Sequence, residues 1–231
     1  DVLARELARP SWRNEQVAIG AATDPYQPCE GRYRLTRSCL EVLGHAATPF
    51  SIITRGPLIV RDVDVLQEAA ARTDVAVMFS VPTLDHDIWR TTEPGTAPPL
   101  QRLRALTTLV NAGVKASVGM APILPGLSDR PEQLAEVVKA VRAAGATSVW
   151  ANLLYLRPGT KEHFLEALAR DWPEELERYE QLYARRAYLP RSEVEPVREH
   201  VRALAREHGV RDRRATRLKP PPEPVQLSLG V

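Results

Sequence analysis

Residues with chemistry to offer gather at the downstream ends of five short apolar runs. Thr23, Asp24, Tyr26 and Gln27 follow "QVAIGA", and Thr54 and Arg55 stand at the end of "FSIIT". Ser80 and Thr83 close "VAVMFSV", Pro122 to Asp129 follow "VKASVGMA", and Asn152, Tyr155 and Arg157 end "SVWANLLY". A carboxylate can hold an ammonium, a guanidinium can hold a carboxylate, and a hydroxyl can meet a sugar. The set therefore suits a zwitterionic ligand that carries a ribose. Hydrolytic chemistry is not indicated, because GxSxG, HExxH and the Walker lysine are absent and the five histidines are scattered.

Such residues converge only if the runs are parallel strands, since ligands of parallel α/β folds bind at the carboxyl ends of the strands. The runs are short and rich in β-branched residues, and an amphipathic helical pattern separates each from the next. "PPLQRLRALTTLVNAG" and "SDRPEQLAEVVKAVRAAG" carry apolar residues on one face and a terminal glycine. The second has Ser128 and Asp129 as capping candidates, while Thr36 and Asp62 are expected N-caps of two shorter helices. Strands apolar on both faces and joined by helical crossovers predict an α/β fold with a parallel sheet covered by helices. No GxGxxG follows the first strand to favour a dinucleotide fold. Beyond "SVWANLLY" only helices are expected, the last opening with a Ser192/Glu195 capping box.

Composition limits the alternatives. The 231 residues are 44% hydrophobic and 26% charged, enough for one sizeable core, and a formal charge of +2 does not by itself point to nucleic acid. Cys29 and Cys39 are the only cysteines, which excludes a disulfide framework and fits a reducing, cytoplasmic setting. No run reaches the apolar length of a membrane span.

"AIGAATDPYQPCEGRYRLTR", "SIITRGPLIVRDVDVL", "FSVPTLD", "MAPILPGLSD" and "LLYLRPGTKEHF", in that order, resemble the spore photoproduct lyase-like branch of the radical S-adenosylmethionine superfamily. The resemblance runs from Gln16 to Phe164. It implies a partial TIM-type (β/α)6 barrel of parallel strands with C-terminal helices. The expected divisions are a barrel core over 1–165, a helical extension over 166–209 and a disordered tail over 210–231. It also implies reductive cleavage of S-adenosylmethionine at a [4Fe-4S] cluster to begin hydrogen-atom abstraction. A one-electron donor such as flavodoxin or ferredoxin would serve it, and DNA or a nucleotide is the substrate suggested by analogy.

In that family Thr23 and Asp24 would face the methionine amino group, Arg55 the methionine carboxylate and Ser80 the ribose. Ile123 and Leu124 would frame the adenine. The cluster hallmark Cys-x3-Cys-x2-Cys is missing, and Cys29 and Cys39 cannot replace it. The chain begins at Asp1 without Met, so the first strand and its cysteine loop are expected upstream. The competing expectation is a cluster-free α/β protein, either a cofactor-binding module or an accessory protein tethered to the sliding clamp. "QLSLG", through Gln226, Leu227 and Leu229, resembles the clamp-docking peptide.

Individual residues have plainer readings beside these. Cys39 is expected in the core with Leu35, Val42 and Leu43. Trp150 and Tyr155 are expected to pack rather than stack on a ligand. Photoproduct lyases use a cysteine near the substrate to return a hydrogen atom; Cys29 is the candidate for that role here, without a match to the family position, and an ordinary surface thiol is the competing expectation.

Overall fold

A computed structural model describes residues 2–214. The five apolar runs are β1 (Val17–Ile19), β2 (Phe50–Thr54), β3 (Val75–Ser80), β4 (Lys115–Ile123) and β5 (Val149–Leu153). They form one sheet in the order β1-β2-β3-β4-β5, every neighbouring pair parallel. Sequential order is the arrangement of a barrel arc. A doubly wound sheet would reverse its order part-way.

The helices are α1 (Val2–Leu7), α2 (Glu30–Tyr33), α3 (Leu35–His45), α4 (Val63–Ala70), α5 (His86–Thr92), α6 (Pro99–Asn111), α7 (Pro131–Ala143), α8 (Thr160–Asp171), α9 (Leu176–Leu182) and α10 (Arg191–Glu207). Right-handed crossovers between sequential strands place connecting helices on one face of the sheet. The burial pattern follows from this. Phe50, Ile52, Val75, Val77, Phe79, Ala116 and Val118 alternate along their strands and are buried in the main core with Leu66, Leu106 and Val138. Each large side chain so buried contributes about 1.5–3 kcal/mol. The intervening positions, Ser51, Ile53, Ala76, Met78 and Ser117, are small, polar or only half-buried, and Trp150 is exposed. The expectation of strands equally apolar on both faces is thus corrected: one face is packed in the core and the other is only half-buried.

Two glycines shape that surface. Gly20 ends β1 at φ +89°, where a side chain would run into the Ile53 carbonyl and the Pro25 ring. Gly119 lets the Trp150 indole lie across β4, since a Cβ there would meet ring atoms at 3.1 and 3.2 Å and the Met78 sulfur at 3.3 Å.

α10 closes one side of the arc. Its Arg198 donates to Asn152 Oδ1 (2.9 Å) and to the Ala151 carbonyl (3.3 Å), a backbone acceptor on β5 that an added strand could otherwise use. A second apolar cluster, with Leu124, Leu127, Leu156, Leu168, Tyr179 and Tyr183, ties α8 and α9 to the loop after β4.

Several local expectations change. Asp62 is fully buried and makes no capping bond, and Thr36 lies inside α3. Ser128 and Asp129 do not cap α7: Ser128 Oγ accepts from Leu124 N–H (2.8 Å) and Asp129 Oδ1 from Gly126 N–H (2.8 Å), fastening the turn after β4. Gln133 Oε1 instead accepts from the Arg130 N–H at the helix start (3.3 Å). The Ser192/Glu195 box is absent, because α10 already includes Arg191 and Glu195 pairs with Arg202. Cys39 is exposed, the buried side of α3 being Leu40, Leu43 and Gly44, where Gly44 lets Ala69 of α4 approach. The segment after Gly209 stays attached at its start, Val210 packing on the core and Arg214 donating to the Gly113 carbonyl (3.1 Å). Gln226, Leu227 and Leu229 lie outside the described residues.

Candidate functional site

At the carboxyl ends of the strands, three open cavities of about 400, 530 and 380 Å³ share one residue, Arg55. The first is walled by Thr83, Ile88, Leu124, Leu154 and Phe164 with Glu93. The second is walled by Trp150, Asn152, Tyr155, Arg157 and Thr160. Asp24, Gln27, Gly56 and Ala97 line the third.

Arg55 follows β2 directly, and its guanidinium is held by one edge. Nε donates to Glu93 Oε1 (2.8 Å), and no partner for the two terminal nitrogens is found among the described residues. Its side chain is 38% exposed. Glu93 sits just past α5, and its other oxygen accepts from Arg102 Nη2 (2.5 Å). Arg102, on α6, is fully buried, with Nε on the Ala97 carbonyl (2.8 Å), Nη1 on the Ser80 carbonyl (2.8 Å) and Nη2 also on Thr96 Oγ1 (2.7 Å). Burial lowers the Arg102 pKa and the Glu93 charge opposes the change. A guanidinium stays protonated under such a shift.

Asp24 faces inward but is saturated. Its Oδ1 accepts from Tyr26 N–H (2.8 Å) and Thr54 Oγ1 (2.7 Å), and Oδ2 accepts from Arg55 N–H (2.6 Å). It staples the turn after β1 to the end of β2 and so sets the backbone from which Arg55 projects. Thr23 is exposed and its hydroxyl accepts from Gln27 Nε2 (2.7 Å).

Ser80 and Ile123 are placed differently from expectation. The Ser80 hydroxyl donates to the Ala121 carbonyl (2.8 Å) and the residue is buried. The Ile123 side chain belongs to the main core, whereas Leu124 lines the first cavity. Trp150 and Tyr155 are 42% and 46% exposed, not packed away. Tyr155 stacks on Tyr188 (centroids 5.1 Å apart), and the Arg157 guanidinium lies 5.6 Å from the Tyr155 ring centre.

Sequence reasoning missed Glu93 and Arg102. Arg102 did leave a signal, since it shares the apolar side of its helix with Leu106 and Leu109, a charged residue at a core position.

Below this site lies a second charged cluster. Asp62 accepts from Tyr26 Oη (3.1 Å), from Arg37 Nη1 (3.2 Å) and from Arg61 (2.8 Å), while Arg61 also reaches Glu30 Oε1 (2.9 Å) and Arg37 reaches Asp64 (2.7 Å). Burial would raise the Asp62 pKa, but hydrogen bonds from Arg61 and Arg37 outweigh it and hold the carboxyl below its ordinary range. Glu30 is likewise held down, burial being outweighed by the Thr36 N–H and Arg61. Burial and the Asp62 charge push the Tyr26 hydroxyl far above its usual value.

A sequence profile of the radical SAM superfamily matches residues 2–138. The chain belongs to that superfamily. An uncharacterized protein of Mycobacterium tuberculosis strain H37Rv is 44% identical over 203 residues, covering 88% of this chain and 60% of that protein. An uncharacterized protein of Acidianus two-tailed virus is 31% identical over 160 residues, 68% of this chain and 52% of that one. The chain thus spans little more than half the length of these relatives. Among solved structures, a spore photoproduct lyase mutant with bound AdoMet and dinucleoside spore photoproduct superposes with a TM-score of 0.64 at 16% identity, covering 85% of this chain and 60% of that one. A spore photoproduct lyase complexed with the dinucleoside gives 0.62 at 15%, covering 84% and 58%. The partial-barrel likeness read from the sequence is therefore present in the fold. The comparisons lend no support to a sliding-clamp tether.

The superfamily implies two groups, and this chain fits one of them. The rim combines a guanidinium with free donors, hydroxyl and amide groups and apolar walls at Leu124, Leu154 and Trp150, a donor set matched to a zwitterionic nucleoside. An iron–sulfur cluster needs several thiolates. Cys29 and Cys39 are both exposed, and no group of three His, Cys, Asp or Glu suited to a metal occurs among the described residues. These residues do not fit a cluster.

Proposed function

We propose that this chain forms the S-adenosylmethionine-binding part of a radical enzyme. The observation that carries the reading is the convergence of three cavities on Arg55, whose terminal donors are free, in a chain of the radical SAM superfamily. The bound cofactor supplies hydrogen-atom abstraction chemistry once reduced by one electron. Arg55 binds the methionine carboxylate, and Asp24 sets the Arg55 backbone. Leu124 and Leu154 exclude water from the nucleoside. Asp24 itself supports the ligand indirectly, since its oxygens are already engaged.

The cluster ligands belong, in this reading, to sequence of the full-length protein outside these residues, and a flavodoxin or ferredoxin delivers the electron. A nucleotide or DNA is the proposed substrate. The fold likeness to an enzyme solved with a dinucleoside supports it, as do exposed Trp150, stacked Tyr155 and Tyr188, and Arg157 beside one cavity.

The test uses the full-length gene product, reconstituted with iron and sulfide without oxygen. A brown protein that yields 5′-deoxyadenosine from S-adenosylmethionine under dithionite supports the proposal. A colourless protein that binds S-adenosylmethionine without cleaving it would establish the cluster-free alternative.

A further inference from the structure

Arg55 is exposed enough to swing, yet the cavities that share it require its fork in one place. Two features restrain it. Asp24 fixes its backbone N–H, and Glu93 fixes its Nε, so the residue is held at both ends while Nη1 and Nη2 have no partner among the described residues. Glu93 is itself restrained. Its second oxygen binds Arg102, which is 0% exposed and anchored on the Ala97 and Ser80 carbonyls and on Thr96. A buried guanidinium with four such acceptors has no other rotamer of comparable energy.

We propose that Glu93 and Arg102 are positioning residues that aim the Arg55 fork at a ligand carboxylate. The inference rests on the reading of Arg55 as a carboxylate partner and adds to it two residues that need not touch the ligand carboxylate. Glu93 is shared by the two guanidiniums, so neither has a side-chain carboxylate to itself. The Asp24 carboxylate nearby is turned onto its three donors. The same residues also shape the wall between two cavities, because Arg102 ties down the Glu93–Ala97 loop whose Thr96 lines both.

Glu93→Gln is the discriminating variant. A glutamine has one acceptor oxygen in place of two, so it can hold Arg102 or Arg55 but not both. Arg102, locked by its other partners, keeps that oxygen, and Arg55 is released. Calorimetric titration of the reconstituted full-length protein compares S-adenosylmethionine with 5′-methylthioadenosine, which lacks the carboxylate and the ammonium. The expected result is a loss of about tenfold or more in affinity for S-adenosylmethionine, against less than about twofold for 5′-methylthioadenosine. Arg55→Ala should give the same pattern.

If Arg55→Ala shows the selective loss and Glu93→Gln does not, the positioning role is overturned while the assignment of Arg55 stands. Selective loss in neither variant overturns both. Equal weakening of both ligands by Glu93→Gln, with a lower melting temperature, marks a purely structural role and overturns the inference. Arg102→Lys is the second probe, and should it fail to fold, Glu93→Gln decides alone.

Discussion

Two charged clusters are built near the carboxyl ends of the first strands and differ in how they end. Around Asp62, the acids Glu30, Asp62 and Asp64 meet Arg37 and Arg61, and Tyr26 adds its hydroxyl. Around Glu93, a single carboxylate lies between Arg55 and Arg102, and the outer guanidinium keeps its terminal donors free among the described residues. The first cluster is closed, since both guanidiniums and all three carboxylates find their partners within it. The second is open toward the cavities. Closed clusters hold structure together, and an open one presents a charge to a ligand, so the difference separates support from site without reference to residue type.

Breaking the closed cluster should have the largest effect on stability. Asp62→Ala leaves Arg37 and Arg61 without their shared partner and the buried Tyr26 hydroxyl without an acceptor. The expected loss is about 3–5 kcal/mol in urea unfolding. A loss under about 1 kcal/mol would erase the distinction between the two clusters.

Asp24 sits between the two regions and should show an intermediate effect. Removing three acceptor contacts in Asp24→Ala is expected to lower stability by about 1–3 kcal/mol and to weaken cofactor binding with it. Weaker binding at unchanged stability would instead mean that Asp24 touches the ligand directly.

The closed cluster also sets the acid response. Asp62 and Glu30 are held below their ordinary values, and Asp64 is lowered to about 2 by the hydrogen bond from Arg37. A depressed carboxyl contributes stability that is present above its unfolded pKa and is lost as pH falls through the folded value. Urea midpoints should therefore decline from about pH 4 toward pH 2. Asp62→Asn should decline less steeply, and equal slopes would count against the cluster as the source.

Gly119→Ala probes the open side with a smaller change. A Cβ must displace the Trp150 ring, which lies 3.1 Å from its position. The expected outcome is a shift in tryptophan emission with about 1 kcal/mol or less of destabilisation. An unchanged spectrum would show that Trp150 does not lie over β4. The smallest stability effect belongs to Arg55→Ala, within about 1 kcal/mol, as for an ion pair at a partly exposed position.

The strands were legible because each is a short β-branched run between helical periods, and all five runs became strands. Arg55 and Leu124 were legible because strand-end position alone puts them at the cavities. What was hidden is long-range pairing. Glu93 lies 38 residues from Arg55, and Asp62 lies 36 from Tyr26, distances over which no local pattern operates. The same limit explains Asp62, which stands at a helix start yet is claimed by Arg37 and Tyr26 far along the chain. Ser128 and Asp129 were lost to a local competitor, the turn after β4, whose Leu124 and Gly126 N–H groups took their oxygens. The Ser80 partner was hidden for a related reason, since its strand-end hydroxyl donates to the Ala121 carbonyl on an irregular neighbouring strand. Cys39 was misjudged by one position around α3, because the close approach of Gly44 to Ala69 sets which side of the helix is buried.

The central claim is that the open guanidinium of Arg55 grips the cofactor. Titrating S-adenosylmethionine into anaerobically reconstituted full-length protein, wild type beside Arg55→Ala, tests it most directly. The account predicts one binding site in the wild type and an affinity about tenfold or more lower in the variant, at matched melting temperatures. No binding heat in the wild type, or equal affinity in the two proteins, would contradict it.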